Sequence, residues 1–354
     1  MLHTNSRPVL PTEATIPFYL KTASTIVLLF GGPVHYFCAT SISLFGKRMK
    51  IFPGFLVHLI TIGAWLLGGF FVPLPIILWH SGYYTTATIF TTLLAIQYII
   101  HIPKWPAFAK WLQQQEPRSY YRRCELKADI SRIKPEKTLL CYHPHGILCG
   151  GFSWNGVHAP ELHALGFVWL IFDGLVNAPI FGWIAAWCGN MQGASVSSMK
   201  KLMAAKRNLA IIPGGFEEAT FHERGVERVY INKRKGFIKY ALRHGYQVCP
   251  VYTFGESETY ESCNWFLDFR AKLNEYKIPT VLFFGWWAFP FFPRPDCDII
   301  TVIGPPIDFP QLNEDLISPE VIDQWHLKYV NALVDLFDKH KEYAGIGDRQ
   351  LDVR

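Results

Sequence analysis

The sequence predicts an α/β domain, a sheet covered by helices, carried on an N-terminal transmembrane helical hairpin. Three observations predict it. Half of the 354 residues are hydrophobic and 16% are aromatic, and the mean hydropathy is slightly positive, which suits a membrane protein with a large water-facing part. No Asp, Glu, Lys or Arg occurs from Ile51 through Pro103. From about Lys137 onward, short apolar runs alternate with amphipathic stretches, the pattern of strands alternating with helices. The chain thus divides into an N-terminal segment (1–50), an apolar hairpin (51–103) and a large domain (104–354).

The elements follow in order. Thr22–Phe45 is free of charge but broken by Gly31-Gly32-Pro33 and carries His35, which suits an interfacial or re-entrant segment. The neutral stretch after it is too long for one span of about 20 residues. The expected spans are Gly54–Val72 and Tyr83–Ile102, and the prolines and Gly82 of the segment 73–82 make the break. Lys47, Arg48 and Lys50 precede the hairpin, Lys104, Lys110, Arg118, Arg122 and Arg123 follow it, and the connection has no basic residue. Both ends of the hairpin are therefore expected on the cytoplasmic side.

In the domain, strands are expected at Lys137–Tyr142, Phe167–Phe172, Asn208–Ile212, Gln247–Phe254, Thr280–Phe284 and Asp298–Ile303. Helices are expected at Ser195–Lys206, Arg234–His244 and Pro319–His340. The last carries the stripe Ile322, Trp325, Tyr329, Leu333 and Leu336, with Ser318 placed as cap. The eight cysteines show no CxxC and no zinc-like spacing, so buried free thiols are expected. The net charge of +6 gathers in Gly46–Lys50, Lys104–Lys134 and around Asn232–Lys239. Basic and aromatic residues do not alternate along one element, which excludes a nucleic-acid binder. No GxGxxG stands at a strand–helix junction, which excludes a dinucleotide enzyme.

The sharpest chemical feature is Tyr142-His143-Pro144-His145-Gly146, directly after a strand, where α/β proteins place reactive groups. An imidazole titrates near neutrality, so His143 or His145 can take a proton from an attacking alcohol. The second feature is Pro213-Gly214-Gly215-Phe216-Glu217-Glu218 after a buried strand. Its glycines let backbone approach a ligand, and a glutamate there can orient a histidine. The third is Asn232-Lys-Arg-Lys-Gly236, a basic start to an amphipathic helix, where Arg234 and Lys235 suit a phosphate.

Taken together, His143-Pro144-His145-Gly146, Pro213-Gly214-Gly215 with Glu218, and Arg234-Lys235-Gly236-Phe237 onward to Pro250, Phe254 and Gly255 resemble the type-2 diacylglycerol acyltransferase family, which includes monoacylglycerol and wax-alcohol acyltransferases. Gly285 through Pro295 and Gly304-Pro305-Pro306-Ile307 are similar to its later segments, and the match covers about Leu139–Phe309. The resemblance implies a glycerolipid-acyltransferase-like sheet and an acyl-CoA-dependent O-acyltransferase that esterifies diacylglycerol to triacylglycerol. It implies His145 as general base, His143 as support or alternative base and Glu218 as orienting acid. Gly146, Gly214, Gly215, Arg234, Lys235 and Phe254 would meet the substrates. Acyl-CoA would be a co-substrate, with no metal or redox cofactor. The expected setting is the endoplasmic-reticulum membrane, multi-pass, with the catalytic part cytoplasmic and lipid droplets as a second location. Homo-oligomerisation stays open.

Three departures from the family and its wider superfamily stand out. Ser119-Tyr120-Tyr121-Arg122 replaces a Tyr-Phe-Pro carried by many members. The wider superfamily pairs its histidine with an aspartate five residues on, where this chain has Leu148 after His143 and Gly150 after His145. Pro-Gly-Gly-Phe also stands where a Glu-Gly-Thr-Arg turn meets phosphate-bearing acceptors in that superfamily, which points to an uncharged acceptor.

Overall fold

A computed structural model describes residues 51–100, 102–263, 265–276 and 280–354. The stretch Thr22–Phe45, Cys38 and the basic residues of Gly46–Lys50 lie outside the described residues. The described residues belong to one compact unit, Ile51–Arg354.

Helix α1 covers Ile51–Phe71, α2 Leu74–His80 and α3 Tyr84–Ile99. Pro73 ends the first without stopping the apolar run, because Pro75 falls in the first turn of α2, where a missing N–H costs nothing. Gly54–His80 is therefore one run, 27 residues long and apolar enough to cross a membrane. The expected break at 73–82 is mostly helix, and the expected second span shrinks to the 16 residues of α3. That is short of the roughly 20 residues a crossing needs, so two complete spans are not established. Phe71 stacks on Phe90 at 5.7 Å and Trp79 meets Tyr84 edge-on at 5.1 Å, which ties α3 back onto the first run.

Helix α1 is not a free appendage. Gly54 sits so close to the backbone of Tyr120 that a side chain would collide there, and Gly68 approaches the carbonyl of Pro179 in the same way. Val57 is fully buried in a cluster with Leu112, Tyr120, Tyr121, Trp154, Cys297 and Ile299. Leu112 comes from α4 (Pro106–Gln114).

The domain is built on a mixed sheet. Its strands are β1 (Arg123–Lys127), β2 (Thr138–His143), β3 (Val168–Ile171), β4 (Met191–Gly193), β5 (Leu209–Ile211), β7 (Gln247–Phe254), β10 (Asp298–Ile303) and β11 (Ile307–Asp308). The order is β1-β10-β7-β2-β5-β3-β4, with β11 also beside β7. The strands β7, β2, β5, β3 and β4 run parallel, while β10 is antiparallel to β7. Short pairs β6 (Arg228–Val229) with β12 (Asp352–Val353), and β8 (Glu261–Ser262) with β9 (Phe283–Phe284), lie outside this sheet.

Every residue of β2 is buried, as befits a central strand covered on both faces. Leu139 and Cys141 face one core, completed by helices α6 (Val196–Ala204), α8 (Gly236–His244) and α10 (Pro319–His340). Leu140 and Tyr142 face the other, under the winding segment 150–165. The two-residue period carries His143 onto the α10 side. Strands Gln247–Phe254 and Asp298–Ile303 and helix Pro319–His340 lie where the sequence places them, and the Ser318 hydroxyl accepts from the Val321 amide. The expected strand Thr280–Phe284 reduces to Phe283–Phe284. Helix α8 starts at Gly236 rather than Arg234, leaving Arg234 and Lys235 in the turn before it.

Candidate active site

Three neighbouring parallel strands, β7, β2 and β5, end at the same edge of the sheet. Each carboxyl end delivers an acidic or imidazole group, the placement that open α/β sheets favour for ligand sites. Strand β2 ends in His143 and runs on into His145. Beyond β5, the Pro213-Gly214-Gly215 turn leads into the short helix α7 (Phe216–Thr220), which holds Glu218. Beyond β7 come Gly255 and Glu256.

His143 has no exposed surface. Its Nδ1 lies 3.3 Å from Oε1 of Glu218 and its Nε2 lies 2.9 Å from the hydroxyl of Tyr329. The following peptide bond, to Pro144, is cis. Glu218 is buried as well. Oε1 also accepts from the Tyr230 amide at 3.0 Å, and Oε2 accepts from the His145 amide at 2.6 Å. Glu218 thus holds the ring of His143 and the main chain of His145, not the His145 imidazole. A side chain on Gly214 would overlap Glu218, and Gly215 has φ +63°, so this turn needs both glycines.

His145 is only partly buried. Its Nδ1 lies 2.9 Å from the carbonyl of Gly146, which can only accept, so Nδ1 carries the hydrogen and Nε2 the lone pair. Cys149 Sγ lies 3.2 Å from Nδ1 and 3.4 Å from Nε2. Desolvation lowers the His145 pKa below the ordinary imidazole value, although the Gly146 carbonyl and Glu218 pull the other way. The imidazole is therefore neutral at physiological pH. Burial raises the Cys149 thiol well above its usual range, with Glu256 and Glu218 adding to the effect, so it stays protonated.

Glu256 forms the floor of the turn. It accepts from the amides of Gly150 and Gly151 at 2.8 and 2.9 Å, and a side chain on Gly146 would run into it. Burial pushes its carboxyl up to about 7 against the pull of those two amides. The Tyr121 hydroxyl approaches Gly150 beside it. Ser119-Tyr120-Tyr121-Arg122 therefore forms the wall between α1 and this floor, with Tyr120 donating to the Pro293 carbonyl at 2.6 Å and stacking on His58 at 4.0 Å.

The remaining expected residues are placed differently. Phe254 lies in the core against Phe337 and Tyr252, away from the surface of the site. Arg234 pairs with Glu217, next to Glu218, and Lys235 pairs with Asp323 at 2.6 Å. Tyr329, Glu256, Cys149 and the Tyr230 amide were not singled out for the site from sequence. In the sequence Tyr329 is one more residue of an apolar stripe, because nothing local shows that its hydroxyl meets a histidine 186 residues away. Cys124, Cys141, Cys149, Cys188, Cys249, Cys263 and Cys297 are free thiols. Among the described residues no group of three His, Cys, Asp or Glu side chains could hold a metal ion.

A buried carboxylate, two histidines and a glycine turn thus meet at the carboxyl edge of a mixed α/β sheet, groups whose chemistry suits proton transfer. The family model described as Diacylglycerol acyltransferase matches residues 78–354, and the chain belongs to that family. It is 32% identical over 232 residues to "Diacylglycerol O-acyltransferase 2" of Danio rerio, covering 58% of this chain and 62% of the relative. It is 34% identical over 277 residues to the Homo sapiens protein of the same name, covering 69% and 67%. "Acyl-CoA wax alcohol acyltransferase 1" of Homo sapiens is 32% identical over 155 residues, covering 40% and 45%. The match thus spans less than two thirds of the Danio rerio relative. Among solved structures, the 1-acyl-sn-glycerophosphate (LPA) acyltransferase PlsC of Thermotoga maritima aligns with 81% of this chain and 98% of its own, at TM-score 0.41 and 12% identity.

Proposed function

We propose that the chain transfers a fatty acyl group from acyl-CoA to the free hydroxyl of diacylglycerol, with His145 as general base. One observation carries the assignment of the base. Both nitrogens of His143 are held by oxygen partners in a fully buried setting, whereas His145 is partly exposed and its neutral Nε2 meets only the weak Cys149 thiol donor, at 3.4 Å. The acceptor hydroxyl attacks the thioester carbonyl while Nε2 takes its proton. The tetrahedral intermediate then expels the CoA thiolate, which regains that proton from the imidazolium. The amides of Gly146, Ile147 and Leu148 have no acceptor among the described residues, which suits them to the developing oxyanion. Arg234 and Lys235 would meet the CoA phosphates by exchanging their carboxylate partners. The chemistry draws on no metal or redox cofactor.

An uncharged acceptor is favoured because Glu217 and Glu218 flank the turn and an acceptor phosphate there would meet like charge, and diacylglycerol is chosen among uncharged acceptors on the family. Monoacylglycerol and long-chain alcohols, named for relatives, are the rival acceptors. The membrane reading has two supports. The run Gly54–His80 is long and apolar enough to cross, and a second apolar face carries Phe266, Tyr276 and Trp287, each more than 70% exposed. Phe283 and Trp286, neighbours of Trp287 in sequence, touch Trp65 and Phe55 of α1. We place both α1 and α3 in the membrane of the endoplasmic reticulum, with the site on the cytoplasmic side.

The test is a purified full-length protein offered one labelled acyl-CoA and four acceptors: diacylglycerol, monoacylglycerol, a fatty alcohol and lysophosphatidate. Diacylglycerol should give the highest kcat/KM, and a preference for lysophosphatidate would overturn the neutral-acceptor reading. In the same assay His145→Ala should lower turnover about 10²–10⁴-fold. Wild-type activity in a folded His145→Ala protein would remove His145 from the role of base.

A further inference from the structure

Tyr329 stands in the middle of α10, 186 residues from His143 in sequence. Its ring is fully buried, packed edge-on against Phe237 at 5.1 Å. For filling the stripe a phenylalanine would serve equally well. The hydroxyl is what differs, and it lies 2.9 Å from Nε2 of His143, with the Cys141 thiol also in contact.

We propose that Tyr329 is a positioning residue for the acyl transfer: its hydroxyl locks the His143 tautomer whose Nδ1–H faces Glu218. This rests on the acyl-transfer reading of the site. A neutral imidazole has one donor and one acceptor. Glu218 is already an acceptor for two backbone amides, so it takes the donor, and His143 is left with a lone pair on a buried Nε2. Only a donor can satisfy it, and the Tyr329 hydroxyl is that donor. Without it, the lone pair is buried and unmet, a costly state that the ring escapes by turning or by moving its proton to Nε2. The second escape sets a lone pair against the Glu218 carboxylate. Glu218 also fixes the His145 amide through its other oxygen. A displaced Glu218 therefore misplaces the turn that carries the base.

The test is a double-mutant cycle in the full-length protein, comparing wild type, Tyr329→Phe, His143→Gln and the double variant. Tyr329→Phe should lower kcat about 10-fold and leave KM for acyl-CoA and diacylglycerol within about twofold. In the His143→Gln background the same change should alter kcat less than about twofold, because the group it acts through is gone. An unchanged kcat in Tyr329→Phe, or an undiminished loss in the His143→Gln background, overturns the proposal. Thermal melting of the four proteins reads the contact without using activity. Coupling in melting temperature with no loss of kcat would make the hydroxyl structural only, against the proposal. If the wild type transferred acyl groups to none of the acceptors, the acyl-transfer reading would fail, while the melting cycle would still report the Tyr329–His143 bond.

Discussion

At the scale of single residues, the site depends on which protonation states burial enforces. His145 must be neutral to act as base, and desolvation lowers its pKa. The acid limb of kcat/KM should therefore have its midpoint below the ordinary imidazole value of about 6.5. A limb centred at or above that value would mean that another group governs the rate. Glu256 works in the opposite direction. Its folded pKa of about 7 exceeds the unfolded value of 4.5, so the folded state binds the extra proton. Its contribution to stability is full below about pH 4.5 and is lost as pH rises through about 7. The whole swing is on the order of 3 kcal/mol. Glu256→Gln should lower stability overall, since the Gly150 and Gly151 amides would then face one oxygen and one NH₂. It should also flatten the fall in Tm between pH 5.5 and 8 relative to wild type, and an unchanged slope would show that Glu256 does not titrate there.

At the scale of elements, the site is assembled by segments that come from far along the chain. Strand β6 supplies the Tyr230 amide to Glu218 just beyond its end, and the C-terminal strand β12 pairs with β6. Close by, Arg349 reaches the fully buried Glu227 at 3.0 Å, and Tyr252 and Ser257 donate to the same carboxylate at 2.7 Å. Arg349→Ala would leave a buried charge without its cation. The cost should be about 2–3 kcal/mol in denaturant melts, below the full buried-pair penalty because Arg349 is itself 28% exposed. A change under about 0.5 kcal/mol would mean that the two hydroxyls alone satisfy Glu227. Helix α1 is tied in as firmly, since Gly54 and Gly68 let it lie directly on the domain. A long apolar helix is thereby fixed within one layer of Tyr121 and the floor of the site.

At the scale of the whole molecule, the apolar run 54–80 meets the aromatic segment 283–292 through Phe55–Trp286 and Trp65–Phe283, and exposed aromatic residues such as Phe266 and Trp287 add apolar surface. Such a surface suits an acceptor that reaches the site sideways from a bilayer rather than from water. The proposed topology places the residues before Gly46 and the C-terminus on the same side. Tags at both positions should be cut by protease in sealed microsomes. Protection of the C-terminal tag while the other is cut would show that the membrane is crossed an odd number of times between them. That outcome bears directly on α3, whose 16 residues leave its role as a span open to this experiment.

Much of the fold was legible in the sequence because local patterns decide it. The buried strand Gln247–Phe254, the capped helix Pro319–His340 and the α/β alternation all follow from periodicity and end signals. The histidine motif was legible too, since strand ends and glycine turns are written in consecutive residues. The rest depends on residues remote from one another in the chain. Strand β1 reads as a basic stretch because its partner β10 lies 175 positions away, and only pairing makes it a strand. The apolar connection 73–82 is largely helical (Leu74–His80) because Pro73 and Pro75 fall at the N-cap and in the first turn, where they start a helix instead of breaking one. Sequence determined which candidate groups stand at the strand ends, His143, His145 and Glu218. Tertiary structure alone decided that Glu218 and Tyr329 enclose His143, that Glu256 supports the turn, and that His145 stays partly exposed beside Cys149. The reason is that hydrogen-bond satisfaction in a buried site is set by neighbours in space, and those neighbours come from three strand ends and a helix that the chain meets last.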